Sequence, residues 1–405
     1  MLRLPQDFMT FSSTILRFCQ LSICIAHIWE VKDIAEPLRV DSVSHPAIIC
    51  DAGSTGSRVF AFYVLDHDGS TEGNVVVELM GRSSIGLSEF ADSLNFEGAS
   101  ETILPFISKG ISRLGNKTPI YIFATGGVRQ LPEIVRESLW DNLTTKLRGV
   151  FETHQGALHI KVIDGDDEAL FGLLSANYLL NDLPLSHINL PLSAPVGVLD
   201  LGGSSLEIAI AGDDRVVGTH DDILISFQNL GLKKMWLKLA DMNVTSHCLF
   251  ESGDGPACRK VLREIVMNDG DFDSKMHTID LSRVERFVAI SAFAYTMDFA
   301  NWIMSMKTST SLSSFCLDYP SPSISSIQYV CDEICSYPLL DALFRQHRFT
   351  TAKEVNERCF SICYVAEVLS ILFESRVNQN FIRFLVEVCF LMHFSNSRLG
   401  TRERD

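Results

Sequence analysis

The chain has 405 residues, too many for one ordinary hydrophobic core and enough for two lobes. With 46% apolar and 21% charged residues it reads as globular, which excludes a disordered chain. A formal net charge of −16, with no basic stripe and interleaved aromatics, excludes nucleic acid as a partner and means that any phosphate-handling site needs a divalent cation.

In chain order, Arg3 precedes an apolar stretch at 8–29 broken only by Arg17, Gln20 and His27. Residues 1–30 are therefore a candidate signal peptide or membrane-anchoring signal. Three glycosylation sequons start at Asn116, Asn142 and Asn243. Of the 11 cysteines, Cys19, Cys24 and Cys50 lie early and eight lie between Cys248 and Cys389. Cys248/Cys258, Cys331/Cys335 and Cys359/Cys363 are closely spaced. Zinc is one reading of such pairs, but no CxxC occurs and no histidines bracket them, so disulfides are preferred. The odd total leaves at least one thiol unpaired. These features point to the secretory pathway: the ER or Golgi lumen, the cell surface or secretion, with a possible N-terminal membrane anchor. The oligomeric state stays open.

AIIC at 47–50 reads as a strand running into Asp51 and a Gly/Ser turn, and VFAFYVL at 59–65 as the returning strand. Residues 97–114 have helical spacing. IYIFATGG at 120–127 is a buried strand ending in a glycine turn, followed by a helix from about Pro132 to Leu147. HIKVID at 159–164 is a strand, and 166–180 a helix whose first turn holds Asp166, Asp167 and Glu168, where the helix dipole favours anions. After a loop with three prolines at 181–195, VGVLDLGGSSLEIAIA at 196–211 repeats the opening device: strand, Asp, Gly/Ser turn, strand. Asp51 and Asp200 are thus equivalent positions of an internal duplication. Further on, 284–306 and 359–373 read as helices, 311–328 as a Ser/Pro-rich loop tied by Cys316, and 381–394 as a packed helix. The expected lobes are 45–165 and 166–380, with a C-terminal helix at about 380–405 as a candidate to return to the first.

A glycine-rich turn can expose consecutive N–H groups to phosphate oxygens. Gly53 and Gly56, and Gly202 and Gly203, let the backbone approach closely, and Ser54, Thr55, Ser57, Ser204 and Ser205 add hydroxyl donors. Arg58 could pair with phosphate or face solvent. Two aspartates, Asp51 and Asp200, converging on a phosphate-filled cleft suit Mg²⁺ or Ca²⁺ held through water. Glu168 is the candidate base for a water nucleophile, although a solvated acid cluster at a helix start reads the same way. Thr125 in ATGG is a further hydroxyl contributor. No GxSxG, HExxH or GxxxxGK[ST] occurs.

DAGSTGSR at 51–58, ATGGVRQL at 124–131, GDDEALFGLLSANYLL at 165–180 and DLGGSSLEI at 200–208 follow one another as the first four conserved regions of the apyrases do. The chain resembles the ecto-nucleoside triphosphate diphosphohydrolase and guanosine-diphosphatase family over about 45–375. FVAISAFAYTMDFA at 287–300 and ERCFSICYVAEVLSILFE at 357–374 also resemble family segments. The resemblance implies an α/β, two-lobed actin/Hsp70-like (ribonuclease H-like) fold, each lobe a mixed sheet flanked by helices. It implies Mg²⁺- or Ca²⁺-dependent hydrolysis of nucleoside tri- or diphosphates. It places Glu168 as base, Asp51 and Asp200 on the metal's water shell, and Thr125 with residues 54–58 and 202–205 on phosphate. The pattern differs in carrying Gly126 for alanine, Ala169, Phe171 and Leu173 in the third region, and Glu207, which the resemblance places with the phosphate- and nucleotide-binding residues, where glutamine is usual. Glutamate there is typical of exopolyphosphatases, which gives an alternative substrate. The last tryptophan is Trp302, and the tail from Asn378 does not resemble the family's fifth region. That gives another alternative, a nucleotide-binding protein with weak or no turnover.

Overall fold

The computed structural model describes residues 43–65, 74–93, 95–151, 154–180, 192, 194–213, 215–251, 253–277, 279–310, 317–336, 347, 350 and 354–385. The apolar N-terminal stretch, Cys19, Cys24, Cys316, Cys389 and the tail from 386 lie outside them. They form two compact units.

The first unit holds β1 (Val43–Gly53), β2 (Gly56–Leu65), β3 (Asn74–Ser83), α1 (Leu87–Asp92), α2 (Phe96–Leu114), β4 (Ile120–Ala124), α3 (Gly126–Arg129), α4 (Glu133–Val150), β5 (Leu158–Val162) and α5 (Gly165–Leu180). The sheet order is β3-β2-β1-β4-β5, with β1 antiparallel to β2 and parallel to β4. Ile48, Ile49 and Cys50 are consecutive and all buried, so both faces of β1 are covered, as expected where parallel strands are flanked by helices. The helices present stripes one turn apart: Ile103 and Ile107 on α2, and Leu139, Leu143 and Leu147 on α4. The Asn95 side chain caps α2 by accepting from the Gly98 amide at 3.1 Å.

This unit extends past the boundary expected at 165. It includes α5, which is tied to the sheet it follows: the Ile163 amide donates to the Ala124 carbonyl, Lys161 pairs with Asp167, and the Phe171 ring lies 6.3 Å from that of Phe123. Ties across this strand-to-helix turn keep α5 with the sheet that it follows.

The second unit holds β6 (Gly197–Leu201), β7 (Leu206–Ile210), β8 (Ile223–Phe227), α6 (Leu232–Asp241), α7 (Gly255–Met267), α8 (Gly270–Met276), β9 (Phe287–Ser291), α9 (Ala292–Thr310), α10 (Ile324–Cys335), α11 (Arg358–Leu372) and β10 (Ile382–Phe384). Its sheet order, β8-β7-β6-β9-β10, reproduces the first sheet strand for strand: two successive antiparallel pairings on one side of the central strand, two parallel ones on the other. The duplication read from the two hairpins therefore covers the whole sheet.

Three expected elements change here. Residues 287–291 are a strand and only then a helix, because FVAIS is β-branched and buried. The Ser/Pro loop ends earlier, as the Ser323 side chain caps α10. Residues 382–384 are a strand parallel to β9, where 381–394 was expected to be helical. The pattern IRF exposes only Arg383 between two buried neighbours, which is strand alternation.

α11 is buried around its circumference, and its one carboxylate is paired: Glu367 accepts from Arg259 and Arg263 at 3.0 and 2.9 Å. Disulfides Cys331–Cys363 and Cys335–Cys359 bind α10 to α11, and Cys248–Cys258 anchors the start of α7. The preference for disulfides over zinc holds: Cys248 bonds Cys258 within its close pair, whereas the other two close pairs bond across to each other; Cys50 is a buried free thiol. Cys331–Cys363 encloses Cys335–Cys359, so with the inner bridge intact it closes a loop of only about 10 residues, and replacing both of its cysteines by serine is expected to cost about 2–3 kcal/mol by chain entropy. Urea unfolding checks this, and an unmoved midpoint would contradict it.

Among the sequons, Asn116 and Asn243 are exposed, whereas Asn142 sits half-buried within α4. No helix of the described residues is long and apolar enough to cross a membrane.

Candidate functional site

In the first unit, β1 and β2 pair as far as Gly53 opposite Gly56, leaving Ser54 and Thr55 as the turn. The turn is braced from behind. Gly86 precedes α1, and a Cβ there would stand 2.5 Å from the Ser54 carbonyl oxygen; at Gly127 it would stand 2.7 Å from Ser54 Cα. Asp51 faces Arg58 across the hairpin, where paired residues share a sheet face. Arg58 Nη1 donates to Asp51 Oδ2 at 3.4 Å, which places the guanidinium beside the aspartate. Asp51 is 3% exposed, and burial pushes its carboxyl above the ordinary range despite the guanidinium. A buried carboxyl with one long guanidinium contact has oxygen lone pairs left to accept from a cation's bound water. That is the fit expected of a hydrated divalent cation's second-sphere ligand.

Ser57 does not join this face. It pairs with Ala52, one residue out of step with the Asp51–Arg58 pair, so its side chain lies on the opposite face. It is 1% exposed, and its hydroxyl has no hydrogen-bond partner among the described residues.

The second unit repeats the device. The Gly202 amide donates to the Ser205 carbonyl at 2.9 Å and closes the turn. Gly231 precedes α6, and a Cβ there would lie 2.3 Å from backbone atoms of Ser204 and Ser205. The first amides of α6 hold the loop carbonyls, Leu232 N–H to Gly202 and Lys234 N–H to Gly203. Ser204 and Ser205 are buried, while Gly202 and Gly203 are half-buried. Asp200 faces Glu207 across this hairpin. Glu207 is 1% exposed, and its Oε1 accepts from Ser226 Oγ at 2.8 Å, which in turn accepts from Gln228 Nε2 at 2.7 Å. The hairpins differ in the residue opposite the aspartate, an arginine in the first and a glutamate in the second.

Thr125 and Glu168 belong to the first unit. Thr125 follows β4, is buried and precedes α3 without its hydroxyl capping that helix. Its amide donates to Ala52, just past Asp51, at 3.2 Å. α5 begins with Asp164 Oδ1 accepting from the Asp167 amide at 2.7 Å, which sets the first turn carrying Glu168. Arg129 Nη1 donates to Glu168 Oε2 at 3.0 Å.

Sequence reasoning missed Arg129, Gly86 and Gly231. Arg129 was visible in ATGGVRQL, but its partner lies 39 residues on and no spacing rule links them. The two glycines carry no local signal, because their backbones are ordinary.

A model of the GDA1/CD39 (nucleoside phosphatase) family matches residues 39–272, more than half of the chain. The chain is 28% identical over 255 residues to the nucleoside-diphosphatase mig-23 of Caenorhabditis briggsae, covering 58% of this chain and 44% of that one. It is 30% identical over 192 residues to the human ectonucleoside triphosphate diphosphohydrolase 4, covering 40% and 31%. The chain thus spans less than half the length of these relatives. Among solved structures it is similar to an exopolyphosphatase from Cytophaga hutchinsonii, with a TM-score of 0.51, 13% identity and coverage of 88% and 100%. It is also similar to an exopolyphosphatase-like protein, with a TM-score of 0.53, 16% identity and coverage of 87% and 99%. At these identities the likeness speaks for the fold, which is of the actin/Hsp70-like class.

Proposed function

Because the chain belongs to the GDA1/CD39 (nucleoside phosphatase) family, we propose that it is a divalent-metal-dependent hydrolase of nucleoside tri- or diphosphates, in which Glu168 activates water. The observation that carries this reading is the duplicated hairpin. Each unit presents a glycine turn after a buried or nearly buried aspartate, and each turn is braced by a glycine that admits no side chain. Rigid backbone amides suit a phosphate chain, since a preorganised donor costs no reorganisation when charge develops.

In the proposed reaction the Gly53–Gly56 and Gly202–Ser205 backbones, with Ser54, Thr55, Ser204 and Ser205, bind phosphate oxygens. Thr125 orients the terminal phosphate. Glu168 takes a proton from water as its oxygen attacks the terminal phosphorus in line, and the shortened nucleotide leaves with the bridging oxygen. Asp51 and Asp200 are assigned to the water shell of Mg²⁺ or Ca²⁺, which when bound offsets phosphate charge that a −16 chain would otherwise repel. The three disulfides support a secretory-pathway location.

Glu207 favours a second substrate reading, inorganic polyphosphate. A phosphate-release panel over ATP, ADP, GDP, UDP and polyphosphate, with Mg²⁺, Ca²⁺ or chelator, separates the two. Nucleotide turnover lost on chelation is expected. Turnover of polyphosphate alone would move the assignment to the second reading, and nucleotide binding without turnover would refute hydrolysis.

A further inference from the structure

Resting on Glu168 as the base, the geometry points to Arg129 as the residue that positions it. Arg129 closes α3, four residues after Thr125, and its amide donates to the Thr125 carbonyl at 3.1 Å. Its Nη1 reaches two acceptors on the next strand-to-helix unit: the Ile163 carbonyl and Glu168 Oε2, both at 3.0 Å. Its own carbonyl accepts from Arg136 Nη1 on α4 at 3.2 Å. Both partners of the ion pair are largely shielded, with side chains 14% and 11% exposed.

The last torsion of a glutamate side chain is broad and poorly defined by itself. A charge-assisted bond to one carboxylate oxygen removes that freedom. Since Arg129 is fixed by its main chain and by a carbonyl at the end of β5, it transmits the position of the β4 turn to the carboxylate. Thr125 and Glu168 are thereby held in one frame. A base displaced by about 1 Å costs on the order of 100-fold in rate, so positioning is the effect that matters most. The guanidinium also favours the ionised carboxylate against its acidic neighbours Asp164, Asp166 and Asp167, the last of which Lys161 pairs. A purely structural tie between α3 and α5 would lower stability and leave kinetics alone.

The test compares Arg129→Met and Arg129→Lys with the unaltered chain, using the nucleotide that the panel identifies. For Arg129→Met, kcat is expected to fall about 10- to 100-fold, with KM within about two-fold. The acid limb of kcat/KM should move to higher pH, because a removed cation no longer favours the charged base. Arg129→Lys should return the acid limb and restore kcat only in part, since an ammonium lacks the planar fork. Unchanged kcat and an unmoved acid limb in Arg129→Met would overturn the inference. If that variant does not fold, kcat equal to the unaltered chain in Arg129→Lys would overturn it. Glu168→Gln run alongside separates the two ideas. Full turnover there removes the base itself, whereas a dead Glu168→Gln beside an unaffected Arg129→Met removes only Arg129's role.

Discussion

Glu168→Gln is expected to lower phosphate release by about 10²- to 10⁴-fold while nucleotide binding survives. The amide is nearly isosteric, and its oxygen can still accept from Arg129 Nη1, now 3.0 Å from Oε2. The first turn of α5 is held by Asp164 and not by Glu168, so the fold keeps its local anchor. What the substitution removes is the ability to take a proton. Single-turnover phosphate release with a parallel nucleotide titration reads both quantities. Turnover at the original rate would end the assignment of Glu168 as base. Glu168→Asp sharpens the reading: it keeps the charge and shortens the reach by one methylene, so it is expected to fall between the two.

Gly231→Ala is expected to lower kcat/KM about 100-fold, a large effect for one methyl group. The backbone at Gly231 has φ −71° and ψ 156°, which any residue adopts, so no conformational strain arises. The space behind the second loop is what forbids the change. An added Cβ would sit 2.3 Å from Ser204 C and Ser205 N, both backbone, and the turn has to move. α6 and the loop share two amide-to-carbonyl bonds, so the shift would also loosen the helix start. Gly270→Ala is the control, since a Cβ there meets nothing within 4 Å. Thermal unfolding of both variants beside their phosphate-release kinetics gives the answer. A destabilised Gly231→Ala that turns over normally would show that the loop's position is immaterial to the chemistry.

Much of the fold was legible because periodicity and punctuation are local. Alternating or continuous apolar runs gave β1, β2, β4, β5 and β6, helical spacing gave α2, and the glycine turn after β4 with Pro132 marked the start of α4. The places where reading failed share a cause. FVAIS and IRF are short apolar segments whose strand state depends on a neighbour in the sheet, Gly197–Leu201 for the first and the first itself for the second. The limit of the first unit depends on where α5 packs. Ser57 was counted as a phosphate donor from its place in a motif, and only strand register shows that its hydroxyl faces away from Asp51.

The sequence by itself determined the chemistry-bearing parts: two aspartates each followed by a glycine turn, a carboxylate at the head of a helix, and a charge that calls for a divalent cation. These are set by residue type and by neighbours a few positions away, so they survive without coordinates. Tertiary structure decided which partners those parts have. Asp51 faces an arginine and Asp200 a glutamate, Arg129 meets Glu168 across 39 residues, and two ordinary glycines hold the loops from behind. The physical reason is range: propensity and motif act along the chain, whereas burial, ion pairing and steric exclusion act between segments that only folding brings together.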